Sequence, residues 1–202
     1  MPLTFPPQLA TPRLVVRTVG VADLPGLLAI NGDPEVTRYL PYDAWRDLSA
    51  GEAWLERMRK LESEGTALQL VVARRDSALL IGTCLIFLYD ERSQRAELGY
   101  VLKRDHWRGG WMREALGVLL EHAFGAMEMR RIEASVNPAN GPSLRLLERL
   151  GFEREGVRRE RWITKGNAED SVMYGLLARD WAARGGQRAI AASSPEARSE
   201  TA

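Results

Sequence analysis

Little in this chain belongs to metal, redox or secreted chemistry. Its single cysteine, Cys84, cannot close an internal disulfide, so nothing points to secretion. Set within I-G-T-C-L-I-F, that cysteine reads as a small core residue. Only two histidines occur, His106 and His122, and there is no Cys/His cluster, so no metal is expected. Neither sign of charge prevails. With 28 Lys and Arg against 27 Asp and Glu the net charge is +1, so no bulk attraction to nucleic acid is implied. No apolar run approaches the ~18 residues that would suggest a membrane span. The opening M-P-L-T-F-P-P lacks the basic-then-apolar layout of a signal peptide. No G-K-[ST] follows a glycine loop and no G-x-G-x-x-G is present, which disfavours a P-loop and a dinucleotide fold. These exclusions leave a soluble protein, expected in the cytoplasm. At 202 residues, 45% apolar and 27% charged, it is long enough for one well-buried core.

What the chain does have is an alternation of element types. Residues 13–19 predict a strand and 21–30 a short helix with Asp23 in its first turn. A Gly/Pro/Asp-rich connection over 31–47 holds Tyr39, Tyr42 and Trp45. Trp54, Leu55, Met58 and Leu61 fall near helical period, predicting a helix over 49–63 with Ser49 as its N-cap. Apolar runs at 67–75 and 79–89 flank Asp76-Ser77 as a hairpin, and 94–102 reads as the next strand. Met112, Ala115, Leu116, Leu119, Leu120 and Ala123 make an amphipathic helix of 111–127. A strand at 131–137 and a helix at 141–150, stopped by Gly151, follow. Strands at 152–162 and 169–177 flank a turn at Lys165-Gly166-Asn167. The organisation expected is an N-terminal extension (1–10), one domain (11–184) and a small, polar, disordered tail (185–202). Hairpins beside strand–helix–strand units predict a mixed α+β sheet.

The stretch from Arg95 to Gly156 carries the chemistry. It reads R-A-E-L-G-Y-V-L-K-R-D-H-W-R-G-G-W-M-R-E-A-L and, after a helix, A-S-V-N-P-A-N-G-P-S-L-R-L-L-E-R-L-G-F-E-R-E-G. A strand feeding a helix through small residues leaves backbone N–H groups free at the positive end of the helix dipole, a ready anion site. The loop Trp107, Arg108, Gly109, Gly110, Trp111, Met112, Arg113 would aim those groups at a diphosphate, with the two glycines allowing close approach and positive φ. The alternative is that Gly-Gly only makes a tight turn. Arg104, Arg108, Arg113, Arg145 and His106 could meet phosphates, with a solvated surface side chain as the alternative for each. Glu97 sits in an apolar strand, where a carboxylate is costly unless paired or useful; its bland alternative is a side chain turned by the strand's alternation to solvent or into an ion pair with Arg95 or Arg131. In N-P-A-N-G-P-S, either Asn140 or Ser143 would serve as a helix cap.

These motifs, in this order, resemble the GNAT family of acyl-CoA-dependent N-acetyltransferases, and most of all its RimJ/RimL-type branch, which acetylates ribosomal-protein N-termini. The resemblance runs from T-P-R-L-V-V-R at Thr11 to L-L-A-R-D-W ending at Trp181, and rests on E-L-G-Y-V-L, E-A-L, N-x-x-S-x-R-x-L-E-x-L-G-F and L-x-x-x-D-W. The glycine loop departs from the branch's W-G-K-G-Y-A at Arg108, Gly109 and Met112. The resemblance implies the GNAT fold, a mostly antiparallel, splayed central sheet flanked by helices, with acetyl-CoA as cosubstrate. It assigns the cofactor to Tyr100, Val101, the Trp107–Arg113 loop, Asn137, Asn140 and Ser143, with the backbone at Val101 meeting the thioester oxygen. It makes Glu97 the general base and lets Ser143 protonate the leaving thiolate. The tyrosine that many relatives place four residues before G-F is Leu147 here. Tyr39, Tyr42 and Trp45 would form one wall of the acceptor site with Glu97 at its end, and residues 162–170 the other; loop packing is the alternative for the aromatics.

Three functions follow as expectations. The first is acetylation of a peptide N-terminus. The second is the same reaction on a small amine such as a polyamine, an amino acid or an antibiotic. The third is a non-catalytic module that holds CoA. Glu97 together with Ser143 favours an enzyme, whether a monomer or a homodimer.

Overall fold

The computed structural model describes Leu3 and residues 5–185. Two short strands, β1 (Leu9–Ala10) and β2 (Leu14–Thr18), lead through a 3-10 turn at Val21–Asp23 into α1 (Leu24–Asn31). Then come α2 (Pro34–Thr37), α3 (Leu48–Ser63), β3 (Leu68–Arg74), β4 (Leu80–Asp90) and β5 (Arg95–Leu102). The remainder is α4 (Trp111–Phe124), β6 (Arg131–Val136), α5 (Gly141–Leu150), β7 (Glu153–Thr164), β8 (Asn167–Leu177) and α6 (Ala178–Ala183). All eight strands form one sheet in the order β1-β2-β3-β4-β5-β6-β8-β7. Among the described residues, only β5 and β6 run parallel. No described helix is long and apolar enough to cross a membrane.

The parallel pair is where the sheet opens. β5 and β6 meet only at Arg95↔Arg131, Ala96↔Ile132 and Glu97↔Glu133. Beyond Glu97 the strands continue, to Leu102 and Val136, without pairing. A bulge in β4 sits beside this point. Its register to β5 slips between Phe87 and Asp90, where Leu88 takes a φ of +51°. The splayed, mostly antiparallel sheet expected from the family resemblance is therefore present.

Two cores cover the two faces. Ala96, Leu98, Tyr100 and Leu102 of β5 pack into the larger one, with α4, α5 and α6. Val101 packs into the smaller one, with α1 and α3. Successive strand residues alternate faces. Glu97 shares the phase of Val101 and so faces the α1/α3 side, while Tyr100 faces the α4/α5 side. α4 buries Met112, Ala115, Leu116, Leu119, Leu120 and Ala123 as its spacing predicts, and Gly117 and Val118 besides. Each fully buried leucine here is worth about 1.5–3 kcal/mol of transfer free energy.

Several boundaries differ from the sequence expectation. α4 ends at Phe124, because Gly125 breaks it, rather than at 127. The N-cap of α3 is Asp47, not Ser49: Asp47 is extended, and its carboxylate accepts from the Ser49 N–H at 2.9 Å. The 31–47 connection contains α2, started by Pro34 behind an Asp33 cap. The N-terminal segment is more than an extension. Leu9–Ala10 joins the sheet, Leu3 and Phe5 pack on the main core, and the Phe5 ring stands edge-on to His122 at 5.2 Å. After β8 the chain forms α6, which docks on α4 through buried Trp181, whose Nε1–H donates to Glu121 at 2.9 Å. Of the tail expected over 185–202, only Gly185 lies within the described residues.

Candidate active site

The Trp107–Arg113 loop leaves the N-terminus of α4 open. Trp107 ends a 3-10 turn over Arg104–His106, and its indole N–H donates to the Leu102 carbonyl at 2.8 Å. Arg108 (φ +65°) and Gly110 (φ +74°) are both left-handed. Gly110 is the N-cap of α4, and no side chain caps it. The first intrahelical bond runs from the Glu114 N–H to the Gly110 carbonyl at 3.1 Å. The N–H groups of Gly110, Trp111 and Met112 therefore have no acceptor within the helix. Gly109 is required by space: a Cβ there would lie 2.5 Å from Trp111 Nε1. The Met112 side chain is buried, its Sδ 3.9 Å from Cys84 Sγ, so only its backbone is available to a ligand.

The loop is held from a distance. Buried Glu114 accepts from Thr11 Oγ1 at 2.5 Å, from the Arg13 backbone N–H at 3.1 Å and from Arg13 Nε at 2.6 Å. Arg13 then lies 4.1 Å from the Trp111 ring centroid, Arg74 lies 5.2 Å from it, and His106 stands edge-on at 5.9 Å. Burial, with Arg74 and Lys103 nearby, holds His106 below its ordinary pKa. Sequence reasoning named none of Thr11, Arg13, Arg74 or Glu114 as site residues. The available signal was Glu114, an acidic residue inside an otherwise apolar helix face. Arg104 and Arg108 are exposed at the loop, while half-buried Arg113 has its guanidinium pKa lowered by burial and by Arg149. Arg145 folds back over the start of α5, where a Cβ on Gly141 would meet its Nη1 at 3.2 Å.

Glu97 is 5% exposed and sits at the last rung before the strands part. Burial raises its carboxyl pKa; Arg161 opposes that shift and Glu133 adds to it. Neither arginine expected as its partner pairs with it. Arg95 turns to Glu133 at 3.2 Å, and Arg131 binds Glu133 at 2.8 Å and Glu155 at 2.5 Å. The cation near Glu97 is Arg161, 3.8 Å away and 64 positions later in the chain.

On the other face, the Tyr100 hydroxyl lies 2.6 Å from Ser143 Oγ. Burial raises the Tyr100 pKa, so the phenol holds its proton. This pairing supplies a tyrosine at the site although Leu147 occupies the position where many relatives have one. Asn140 is the N-cap of α5, its Oδ1 accepting from the Ser143 N–H at 3.3 Å. Asn137 Oδ1 accepts from the Ala139 N–H at 2.9 Å, and its Nδ2 donates to Glu169 at 2.7 Å. Both asparagines are engaged in shaping the β6–α5 connection. The backbone of Val101 is also engaged. The Lys103 N–H donates to the Ile81 carbonyl at 2.7 Å, and Val101 pairs with Thr83 two residues earlier. Alternation along an antiparallel ladder turns the Val101 N–H toward β4 as well. The Tyr100 amide is the one turned toward the opened side.

The aromatic wall is divided. The Tyr39 hydroxyl donates to the Ala139 carbonyl at 3.2 Å, and Lys165 Nζ donates to the Thr37 carbonyl at 2.9 Å. The 31–47 connection is thus tied to both the β6–α5 loop and the β7–β8 turn. Trp45, expected on the acceptor wall, is instead buried in the smaller core beside Trp54, with ring centroids 5.6 Å apart. The Tyr42 hydroxyl donates to Asn31 at 3.0 Å, and burial pushes its pKa up to about 12. Among the described residues, no group of three or more His, Cys, Asp or Glu is placed to hold a metal ion.

Residues 13–153 match the family described as Acetyltransferase (GNAT) domain. An uncharacterized N-acetyltransferase, p20 of Bacillus licheniformis, is 36% identical over 174 residues, covering 86% of this chain and 98% of that protein. The ribosomal protein uS5-alanine N-acetyltransferase of Escherichia coli is 31% identical over 182 residues, covering 86% and 92%. Among solved structures, Mycobacterium smegmatis RimJ in complex with CoA-disulfide superposes with a TM-score of 0.74 at 21% identity, covering 86% and 90%. Vibrio cholerae spermidine N-acetyltransferase in complex with CoA and spermine gives 0.75 at 20% identity, covering 85% and 99%. At those identities the two structures speak for the fold. With its open helix N-terminus beside a split sheet and a buried glutamate at the split, the chain belongs to the GNAT family of acetyl-CoA-dependent N-acetyltransferases.

Proposed function

We propose that the chain transfers the acetyl group of acetyl-CoA directly to the N-terminal amine of a peptide or protein. The observation that carries this reading is the distribution of proton chemistry about β5. A buried carboxylate with raised proton affinity, Glu97, lies on one face, and a hydroxyl pair, Tyr100 and Ser143, lies on the other. A thioester entering between β5 and β6 would meet the amine from the Glu97 side and release its thiolate toward the Ser143 side. The amine attacks the thioester carbon, Glu97 takes the amine's proton directly or through water, and the C–S bond breaks. Ser143 Oγ gives its proton to the thiolate, and Tyr100 at 2.6 Å can pass its own to Ser143. The Tyr100 amide replaces Val101 as the donor to the developing oxyanion. The open N-terminus of α4 takes the diphosphate.

Direct transfer fits the residues present. Burial pushes the Cys84 thiol up to about 12, so it offers no thiolate nucleophile. Holding both reactants in line can itself supply much of the acceleration. For the acceptor, the relative named a uS5-alanine N-acetyltransferase supports a protein N-terminus.

The test is acetyl-CoA turnover against N-terminal peptides and free amines, with wild type and Glu97→Gln. Glu97→Gln should lower kcat by ~10²–10⁴-fold at neutral pH, the usual worth of a general base, and by less at high pH where the amine is already neutral. Because the carboxyl pKa is raised, wild-type kcat/KM should fall on the acid side through a value above the ordinary carboxylate range. Unchanged kcat in the variant across pH would remove Glu97 from the mechanism, and ping-pong kinetics would overturn direct transfer. If free amines react and every peptide fails, the acceptor is a small amine. Turnover of neither returns the chain to a CoA-binding role.

A further inference from the structure

One charged side chain beside the base has no task in the reaction as described. β7 and β8 are in register at Arg158↔Ser171 and again at Trp162↔Glu169. Residues 159–161 of β7 therefore face Asp170 alone. Within this bulge Glu160 adopts a φ of +47°, and its N–H donates to Asp170 Oδ1 at 2.9 Å. Such a bulge re-aims a side chain away from the strand's alternation. The side chain redirected is Arg161. Its neighbours Arg158, Arg159 and Glu160 are exposed, whereas the Arg161 side chain retains only 18% of its exposure.

The guanidinium reaches Glu97 without bonding to it. Arg161 Nη2 stands 3.8 Å from Glu97 Oε2, beyond hydrogen-bond distance, and its Nε is buried with no hydrogen-bond partner. An arginine whose task is to neutralise a buried glutamate can close fully, as Arg13 does on Glu114 at 2.6 Å. Arg161 instead presents a planar fork with a buried donor unused, beside the group that would receive the acceptor's amine. The charges around it do not offer a better partner. Glu133 is held by Arg95 and Arg131, Glu155 by Arg131, and Asp170 by the Glu160 N–H. Arg158 adds a further positive charge acting on Glu97.

We infer that Arg161 binds a carboxylate carried by the acceptor close to its primary amine, so that the enzyme selects amino-terminal acceptors that are acidic at or beside the reacting residue. The inference rests on the reading of Glu97 as the amine's base. A guanidinium matches a carboxylate through two parallel hydrogen bonds, and an ammonium has no such complement there. With the amine on Glu97 and the anion on Arg161, the two groups are separated by no more than one or two residues' reach. A free α-amino acid meets that requirement with its own carboxylate. A peptide meets it with aspartate or glutamate in its first or second position. Arg161 and Arg158 would repel a polyamine.

The experiment compares peptides that differ only at the second residue (Ala-Asp, Ala-Asn and Ala-Lys openings), together with free aspartate, free alanine and spermidine. Wild type, Arg161→Gln and Arg161→Lys are assayed for kcat/KM. Wild type should prefer the Asp over the Asn peptide by roughly ten- to a hundredfold, the span of one hydrogen bond to a charged group. Arg161→Gln should bring that ratio close to one, and Arg161→Lys should restore part of it. Equal use of the Asp and Asn peptides by wild type overturns the proposal. So does a loss in Arg161→Gln that is the same for every acceptor, which would make Arg161 only a partner of Glu97. Preference for free aspartate over the Asp peptide assigns the carboxylate to an amino acid, and the reverse assigns it to a peptide. Melting with CoA present separates this inference from the catalytic reading. The Asp peptide should raise the melting temperature of wild type and not of Arg161→Gln, whether or not acetyl is transferred. No shift in wild type overturns carboxylate binding, and a shift without turnover overturns catalysis alone.

Discussion

Helices α4 and α5 each begin a few residues after one of the two strands that part, and they finish their N-termini in opposite ways. At α5 the donors are used or missing. The Asn140 N–H goes to the Asn137 carbonyl at 2.9 Å, Pro142 has none, and the Ser143 N–H meets Asn140 Oδ1 at 3.3 Å. Only the Gly141 amide remains of the first turn's set. At α4 the cap is a left-handed glycine with no side chain to offer, and the amides of Gly110, Trp111 and Met112 are left over. A helix that stabilises itself places Asn, Asp, Ser or Thr at this position. One that forgoes the cap leaves its dipole for an anion from outside. On the function proposed above, phosphate would bind at α4, and α5 would present Ser143 in a rigid first turn.

Gly110→Pro should break this comparison most severely. Proline removes one of the leftover donors and demands a φ near −65° where the chain holds +74°. In wild type, CoA at ~100 times its Kd should stabilise the fold by about 2.7 kcal/mol, because only the folded state binds it. In the variant the shift should vanish while the circular dichroism of the unliganded protein still reports the native elements. A full CoA shift in folded Gly110→Pro would mean that the open terminus is not the anion site.

A smaller effect is expected at α5. Ser143→Ala should lower kcat by roughly tenfold, less than the ~10²–10⁴ of an indispensable general acid, since water can protonate a thiolate of modest basicity. Tyr100→Phe should cost a similar factor, because it removes the hydroxyl 2.6 Å from Ser143. The double variant should be little worse than either single one, since residues acting as a unit are not additive. Additive losses would show that the two hydroxyls work separately. KM for acetyl-CoA should move little in Ser143→Ala; a large rise would give α5 the binding role that the comparison denies it.

The open terminus of α4 was legible in the sequence, and most of what surrounds it was not. Gly109-Gly110 between a strand and an apolar helical stripe is a local signal, as is Glu97 in an apolar run. The eight-element alternation from 67 to 177 was legible for the same reason, since strand and helix periods declare themselves within a few residues. Pairings across long stretches of chain carry no such signal. Thr11 and Arg13 reach Glu114 across 103 and 101 positions, and Tyr100 reaches Ser143 across 43. The alternative to a catalytic Glu97 was a side chain facing solvent or paired with Arg95 or Arg131. The parallel register sets Glu133 opposite Glu97, and Arg95 and Arg131 go to Glu133 instead. Trp45 was expected on an acceptor wall, with loop packing as the alternative, and it packs into the core under α1 and α3. Two-residue β1 and six-residue α6 are too short for a period to register.

Asn140→Ala sharpens the comparison with the least disturbance. Two roles stood open for Asn140 in the sequence, helix cap and cofactor contact, and its Oδ1 is engaged by the Ser143 N–H. Loss of a capping Asn costs ~1 kcal/mol, within a span of about 0.5–2. In a chain of this length 1 kcal/mol corresponds to about 2–4 °C in melting temperature. The CoA-induced shift, measured from the variant's own baseline, should be unchanged, because no donor to phosphate has been removed. kcat should fall modestly, since Ser143 sits in the turn that the cap holds, while KM for acetyl-CoA stays near that of wild type. The opposite pattern, a normal melting temperature with CoA affinity down tenfold or more, would make Asn140 a ligand rather than a cap. The N-termini of α4 and α5 would then share the cofactor, and the division of labour between them would not hold.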